Sequence, residues 1–138
     1  MQRNITKMAS IIASIVEWIR LRFVKEPYKL SKRFQRDLEG LSKKNPNLEA
    51  DFRTFLHEFE QEKVKATRMP RCNGAFKLRM KSHEQGKSGA YRVVYFVKFG
   101  GRTWFLTIYI KNEKEKLSPK DEKIVREMIA KIKRGEDV

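Results

Sequence analysis

One cysteine, Cys72, and two histidines, His57 and His83, are all the thiol and imidazole that this 138-residue chain holds. A lone cysteine excludes an intrachain disulfide and a cysteine-based zinc site, and two isolated histidines do not make a metal cage. No metal and no cofactor is expected. Cys72 reads as a partly buried bystander, and the low cysteine count fits a reducing cytoplasm. Long apolar runs are also scarce. Met8 to Val16 follows Lys7 in the manner of a signal peptide, but it stops at Glu17, far short of the ~20 residues that span a bilayer. Ile11, Ile12, Ile15 and Ile19 recur at helical spacing instead, so an amphipathic helix is expected there and no membrane partner. Without secretion, the sequon Asn4-Ile5-Thr6 carries no meaning. Acidic residues are the last shortage. With 17 Asp and Glu against 32 Lys and Arg, the net charge is +15. That exceeds what solubility requires and predicts a polyanionic partner, nucleic acid first. The basic residues run from end to end, so this is not a globule with a basic tail.

Hydrophobic residues make up 40% of the chain, and nine Phe, four Tyr and two Trp supply core volume. The length fits a single core. We expect an N-terminal helical extension over residues 1–18 and one domain over 19–138. Trp18 to Val24 alternates apolar and basic residues as a strand does. Leu30, Phe34, Leu38 and Leu41 form a helical stripe. Asn45-Pro46 then reads as an N-cap followed by a first-turn proline, and Leu48, Phe52, Phe55, Leu56 and Phe59 make the face of a second helix. Pro70, Asn73 and Gly74 mark a loop over 63–75. Strands are predicted for Phe76 to Lys81, Tyr91 to Phe99 and Arg102 to Lys111, the last two joined by Gly100-Gly101 as a two-residue hairpin turn. Ser118-Pro119-Lys120-Asp121 opens a final helix whose buried face is Ile124, Val125, Met128, Ile129 and Ile132. The order α-β-α-α-β-β-β-α predicts an α+β domain, a mostly antiparallel sheet with helices packed on one face.

A tight Gly100-Gly101 turn sets Arg92 across from Tyr109 and Ala90 across from Lys111. Tyr109 and Lys111 then share a face with Arg92, about 7 Å apart along their strand. Trp104, Leu106, Ile108 and Ile110 take the opposite, core face. The preceding strand carries its own row, Lys77, Arg79 and Lys81. One face thus collects cations and a phenol, open to solvent, and like charges at strand spacing repel unless an anion joins them. The row alone reads as a solvated face; its convergence with the hairpin reads as a phosphate site. Gly86-Lys87-Ser88 resembles a phosphate loop, but the required glycine is replaced by Lys81 and a strand follows where a helix must. Nucleoside triphosphate binding is therefore rejected. What remains is either an ordinary connection or a flexible glycine loop offering Lys87 and the backbone of Ser88 and Gly89 to RNA.

Phe76-Lys-Leu-Arg-Met80, Gly86-Lys-Ser-Gly-Ala-Tyr-Arg-Val-Val-Tyr-Phe96 and Leu106-Thr-Ile-Tyr-Ile-Lys-Asn-Glu113 resemble the RelE/ParE toxin superfamily. The nearest branch looks like the HigB-like, ribosome-dependent endoribonucleases. The likeness covers roughly residues 19 to 133 and includes Leu41-Ser-Lys-Lys-Asn-Pro46. It implies a microbial-ribonuclease-like fold, cleavage of mRNA in the ribosomal A site, and neutralisation by a cognate antitoxin protein. Carried over by motif, the catalytic residues are Lys77, Arg79, Lys87, Arg92, Tyr109 and Lys111, with Lys81, Ser88 and Gly89 binding RNA. Ala90 stands where the family often has a second glycine, and Lys87 is the loop's only basic residue. The N-terminal helix is not required by the family and could serve antitoxin binding or dimerisation; the oligomeric state is left open.

The resemblance further implies in-line attack by a ribose 2′-OH on the adjacent phosphate. Preorganised guanidiniums of Arg92 and Arg79 would bind the added transition-state charge. A lysine among other cations releases its proton more readily, so Lys77, Lys87 or Lys111 is expected to move protons, and Tyr109 to stack or position one. His83 and Glu84 as an ordinary ribonuclease pair is a weaker alternative. Glu113 reads as a structural partner of a cation. Two other readings stay open: a non-catalytic RNA- or DNA-binding module, and a ParE-type toxin that blocks a topoisomerase by protein contact.

Overall fold

A computed structural model describes residues 12, 13, 15, 28–82, 87–111 and 116–138. Along the chain come β1 (Tyr28–Leu30), α1 (Lys32–Ser42), α2 (Leu48–Glu60), β2 (Thr67–Arg68), β3 (Phe76–Ser82), β4 (Lys87–Val97), β5 (Thr103–Ile110) and α3 (Pro119–Lys133). The strands form one sheet in the order β1-β5-β4-β3-β2. All pairs are antiparallel except β1 with β5. The α+β architecture is the one expected, with the sheet made mixed by its short first strand. The strand predicted at 18–24 and most of the N-terminal helix lie outside the described residues. Ile12 and Ile15 are helical and buried in the main core.

Local chemistry explains most boundaries. Leu30, predicted as helix, ends β1, because Ser31 caps α1: its Oγ accepts the Phe34 N–H at 2.9 Å and donates to the Leu106 carbonyl at 2.8 Å. The N-cap of α2 is Asn47, two residues beyond the predicted Asn45. Asn45 instead accepts the Asn47 N–H through its side-chain oxygen at 2.9 Å and, from its amide nitrogen, donates to the Tyr91 hydroxyl at 2.8 Å. The α3 start is as expected, Ser118 accepting the Asp121 N–H at 3.1 Å ahead of Pro119.

The β4–β5 hairpin corrects the expected turn. Lys98 donates its N–H to the Arg102 carbonyl at 2.8 Å, so the reversal spans Phe99, Gly100 and Gly101 rather than two glycines. Gly100 and Gly101 sit at φ of 104° and 98°, a region that L side chains avoid. Near the tip Val97 pairs with Thr103, whereas Val94 pairs with Thr107 and Tyr95 with Phe105. Leu106 is therefore an extra residue in β5, a β-bulge. Beyond it the register is the one derived from the sequence.

The bulge also redistributes the core. Phe105 and Ile108 belong to a cluster with Phe34, Leu38, Phe52 and Phe55 of α1 and α2. Trp104, Leu106 and Tyr109 belong to a second cluster with Val125, Ile129 and Ile132 of α3. Trp104 and Leu106 thus share the face of Tyr109, contrary to the simple alternation expected. Because Tyr91, Val93 and Tyr95 enter the first cluster while Val94 and Phe96 enter the second, both faces of β4 are buried. Helix α3 covers the face opposite α1 and α2, so the expectation of helices on one face is corrected: the sheet is covered on both. Phe105, fully buried, touches the rings of Phe34, Phe52, Phe55 and Phe59 with centroids 5.7 to 6.1 Å apart. Aromatic pairs of this kind contribute about 0.5–1.5 kcal/mol each beyond area burial.

Candidate functional site

Arg79, Arg92 and Tyr109 are successive Cα partners across β3, β4 and β5. Directly opposed residues share a face, so two guanidinium groups and a phenol stand in a line across the sheet. Strict alternation in β3 supports this: Leu78 and Met80 are buried in the first core, while Arg79 and Lys81 are exposed on the other side. Lys77, Arg79, Arg92 and Lys111 line a cleft of about 400 Å³, joined there by Lys65 and Lys116. The sequence missed those last two. They lie in segments without periodicity, where only their charge could have drawn notice.

Burial sets the electrostatics of the line. Arg92 is 7% exposed, and its Nη1 donates to the Tyr91 carbonyl at 3.3 Å. Burial and the neighbouring Arg79 both push its pKa below the usual guanidinium value, against the opposing influence of Tyr109. The cation is thus held where water solvates it poorly and a like charge faces it, a situation that an incoming phosphate relieves. Tyr109 is 5% exposed, so the expected solvent-open phenol is corrected: its ring packs with Leu117 and the α3 side chains. Burial raises its pKa, with Arg92 pulling the other way. Near neutral pH it is a phenol, able to donate a hydrogen bond, and not a phenolate base.

The glycine loop is also revised. Lys87, Ser88 and Gly89 are the first residues of β4, and Lys87 pairs with Ser82 after a register shift beyond Met80. His83, Glu84 and Glu113 lie outside the described residues. Lys81 is exposed past Arg79 and is not among the described residues that line the cleft.

Helix α3 covers the Tyr109 face of the sheet and is tied down at both ends. Arg33 of α1 pairs with Asp121 at 2.8 Å and lies 3.8 Å from Asp37, which accepts the Thr107 hydroxyl at 2.6 Å. At the other end, Lys133 donates to the Asn73 side chain at 2.7 Å, and Arg126 to the Arg71 carbonyl at 3.2 Å. Between α3 and the 67–71 segment lies a second cleft of about 310 Å³, reached by Tyr109, Lys77 and Lys116. Among the described residues, no group of three or more His, Cys, Asp or Glu is placed to hold a metal ion. Among them, too, no helix is long and apolar enough to cross a membrane.

The sequence profile described as the RelE toxin of the RelE / RelB toxin-antitoxin system matches residues 34–137, well over half of the chain. The chain belongs to the RelE toxin family. No curated protein matches it. The match to the RelE family begins at Phe34 in α1 and runs through every residue of the basic cleft to the end of α3. Residues 1–33 fall outside it.

Proposed function

We propose that this RelE-family toxin is a HigB-like, ribosome-dependent mRNA endoribonuclease of the cytoplasm, held in check by a cognate antitoxin. The observation that carries the proposal is the line Arg79, Arg92, Tyr109 beside a cleft whose charged lining, among the described residues, is entirely cationic. Arg92 and Arg79 stabilise the charge that accumulates on the phosphoryl oxygens as the 2′-OH attacks in line. Tyr109, opposite Arg92 and lining the neighbouring cleft, donates a hydrogen bond. Lys77 and Lys111, which line the cleft, and Lys87 supply the proton transfers as a group. The products are a cyclic phosphate and a free 5′-OH. An acidic or aromatic segment of the antitoxin would occupy the cleft by the same charge complementarity.

The burial of Tyr109 favours a second reading, a non-catalytic module that holds nucleic acid by phosphate contacts alone. The two separate when wild type and Arg92→Ala are induced in cells and messages are mapped by primer extension. The nuclease reading expects growth arrest with cuts inside translated codons, both abolished by the substitution while affinity for RNA falls only modestly. Messages left intact by the wild type would overturn it. DNA damage alongside intact messages would indicate topoisomerase inhibition of the ParE kind.

A further inference from the structure

Near the hairpin end of the sheet lies a third cleft, of about 390 Å³, whose chemistry is the reverse of the basic one. Its rings, Tyr28, Phe59 and Tyr95, belong to the core on the α1 and α2 side, not to the core that holds Tyr109. Among the described residues its charged lining is Glu60 and Glu62, with no Lys or Arg. In a chain of net charge +15 that is a local reversal of sign. Glu60 is the last residue of α2 and Glu62 follows its C-cap, Gln61. Both carboxylates therefore stand where the helix already ends in partial negative charge. A cation is favoured there by all three, and a phosphate is repelled by all three.

Two oxygens in the cleft lack donors. Tyr95 is 8% exposed, yet its hydroxyl is not sealed off and makes no hydrogen bond among the described residues. A polar group on so buried a ring is completed by an N–H from whatever enters the cleft. Glu62 likewise makes no side-chain hydrogen bond and no ion pair among the described residues. Tyr28 and Phe59, both partly exposed, bring aromatic rings to the same space, and rings attract cations. An ammonium concentrates its donors on one nitrogen. A guanidinium spreads five over a plane, so it can serve a carboxylate and a phenol oxygen together while its flat side lies against a ring. The rim is apolar: Val97, which lines the cleft, is 44% exposed, and Phe99, two residues on, is fully exposed. A free small cation would leave that rim in water, whereas a polypeptide would cover it. A second copy of this chain is disfavoured as the occupant, because two bodies of charge +15 repel.

From this we infer that the third cleft is a docking site for an arginine side chain of a protein partner. That partner is acidic or neutral overall and sets apolar residues beside the arginine. The inference stands apart from RNA cleavage, since the two clefts share no charged residue. The test titrates the full chain with the capped peptide acetyl-Leu-Arg-Leu-amide, following backbone amide shifts by NMR. A matched peptide carries citrulline, which keeps the shape of arginine and lacks its charge. The arginine peptide should shift the amides of Glu62, Val97, Gly101 and Thr103 and bind about fivefold more tightly than the citrulline peptide. Glu62→Gln and Tyr95→Phe preserve side-chain shape, and each should lower the affinity for the arginine peptide about threefold. No shift at these amides, equal affinity for the two peptides, or binding that survives both substitutions overturns the site. Shifts of the same amides on diluting the protein alone would assign the cleft to a second copy. Shifts produced by the double substitution Arg20→Ala and Arg22→Ala would assign it to the chain's own N-terminal segment. Either result overturns the partner.

Discussion

Replacing Arg92 by Met should separate activity from stability. The substitution keeps an apolar stem of similar length in a position that is 7% exposed, so packing is largely preserved. Two effects on folding oppose each other. Arg79 lies directly across from Arg92, and relieving a like-charge cross-strand pair is worth roughly 0.2–1 kcal/mol. The hydrogen bond to the Tyr91 carbonyl is lost, but at 3.3 Å it is long, and such a bond contributes about 0.5–1.5 kcal/mol. The net change in folding free energy is expected to stay within about 1 kcal/mol, or about 4 °C in Tm. Catalysis has no such compensation. Removing one preorganised donor to a developing oxyanion lowers rate by about 100-fold or more, at least ~2.7 kcal/mol. Urea unfolding of the purified variant gives the first quantity, and message cleavage in a translating extract at matched protein concentration gives the second. Cleavage retained within about threefold of wild type would refute the catalytic role. A stability loss above about 2 kcal/mol would refute the electrostatic picture and make Arg92 a structural residue.

Alkaline conditions should weaken the fold. Burial raises Tyr95 and Tyr109 above 10.0, and burial with Glu122 raises Cys72 above 9.0. The folded state therefore keeps protons that the unfolded chain has lost; this stability is complete below about pH 9 and declines as pH climbs through the folded values. The urea midpoint should fall between pH 8 and pH 10.5, and Tyr109→Phe should flatten the decline. Asn45→Ala removes the donor to the Tyr91 hydroxyl in a pocket shared with buried Asp51 and should cost about 1–3 kcal/mol in urea unfolding. Lys116→Gln should lower affinity for single-stranded RNA and reduce the slope of log affinity against log salt by about 0.7. An unchanged slope would remove Lys116 from the phosphate path.

Where side-chain period and burial agree, the sequence was sufficient. The β3 alternation, the α2 and α3 stripes and the Ser118 cap are local patterns, and the structure has them where periodicity and capping chemistry placed them. The alignment of Arg92 with Tyr109 was also legible, although by a route that needed correcting. A turn one residue longer and a bulge of one residue in β5 restore the same pairing. What the sequence hid was tertiary. Nothing local distinguishes Asn45 as a tether for Tyr91 from Asn45 as a cap. Nor does any local pattern reveal that α3 crosses to the face of Tyr109, since a helix's apolar stripe does not say which side of a sheet it covers. Lys65 and Lys116 reach the cleft through chain reversals that carry no period at all.

The extra residue at Leu106 has a consequence for how such a chain can vary. It sits between the solvent-facing end of the hairpin and the Arg92–Tyr109 pair beside the basic cleft. A ladder that is already offset there can take up a lengthening or trimming of the reversal by moving or dissolving the offset. The exposed tip, with Phe99 fully in water, is therefore free to diverge in length while the guanidinium and the phenol stay in step.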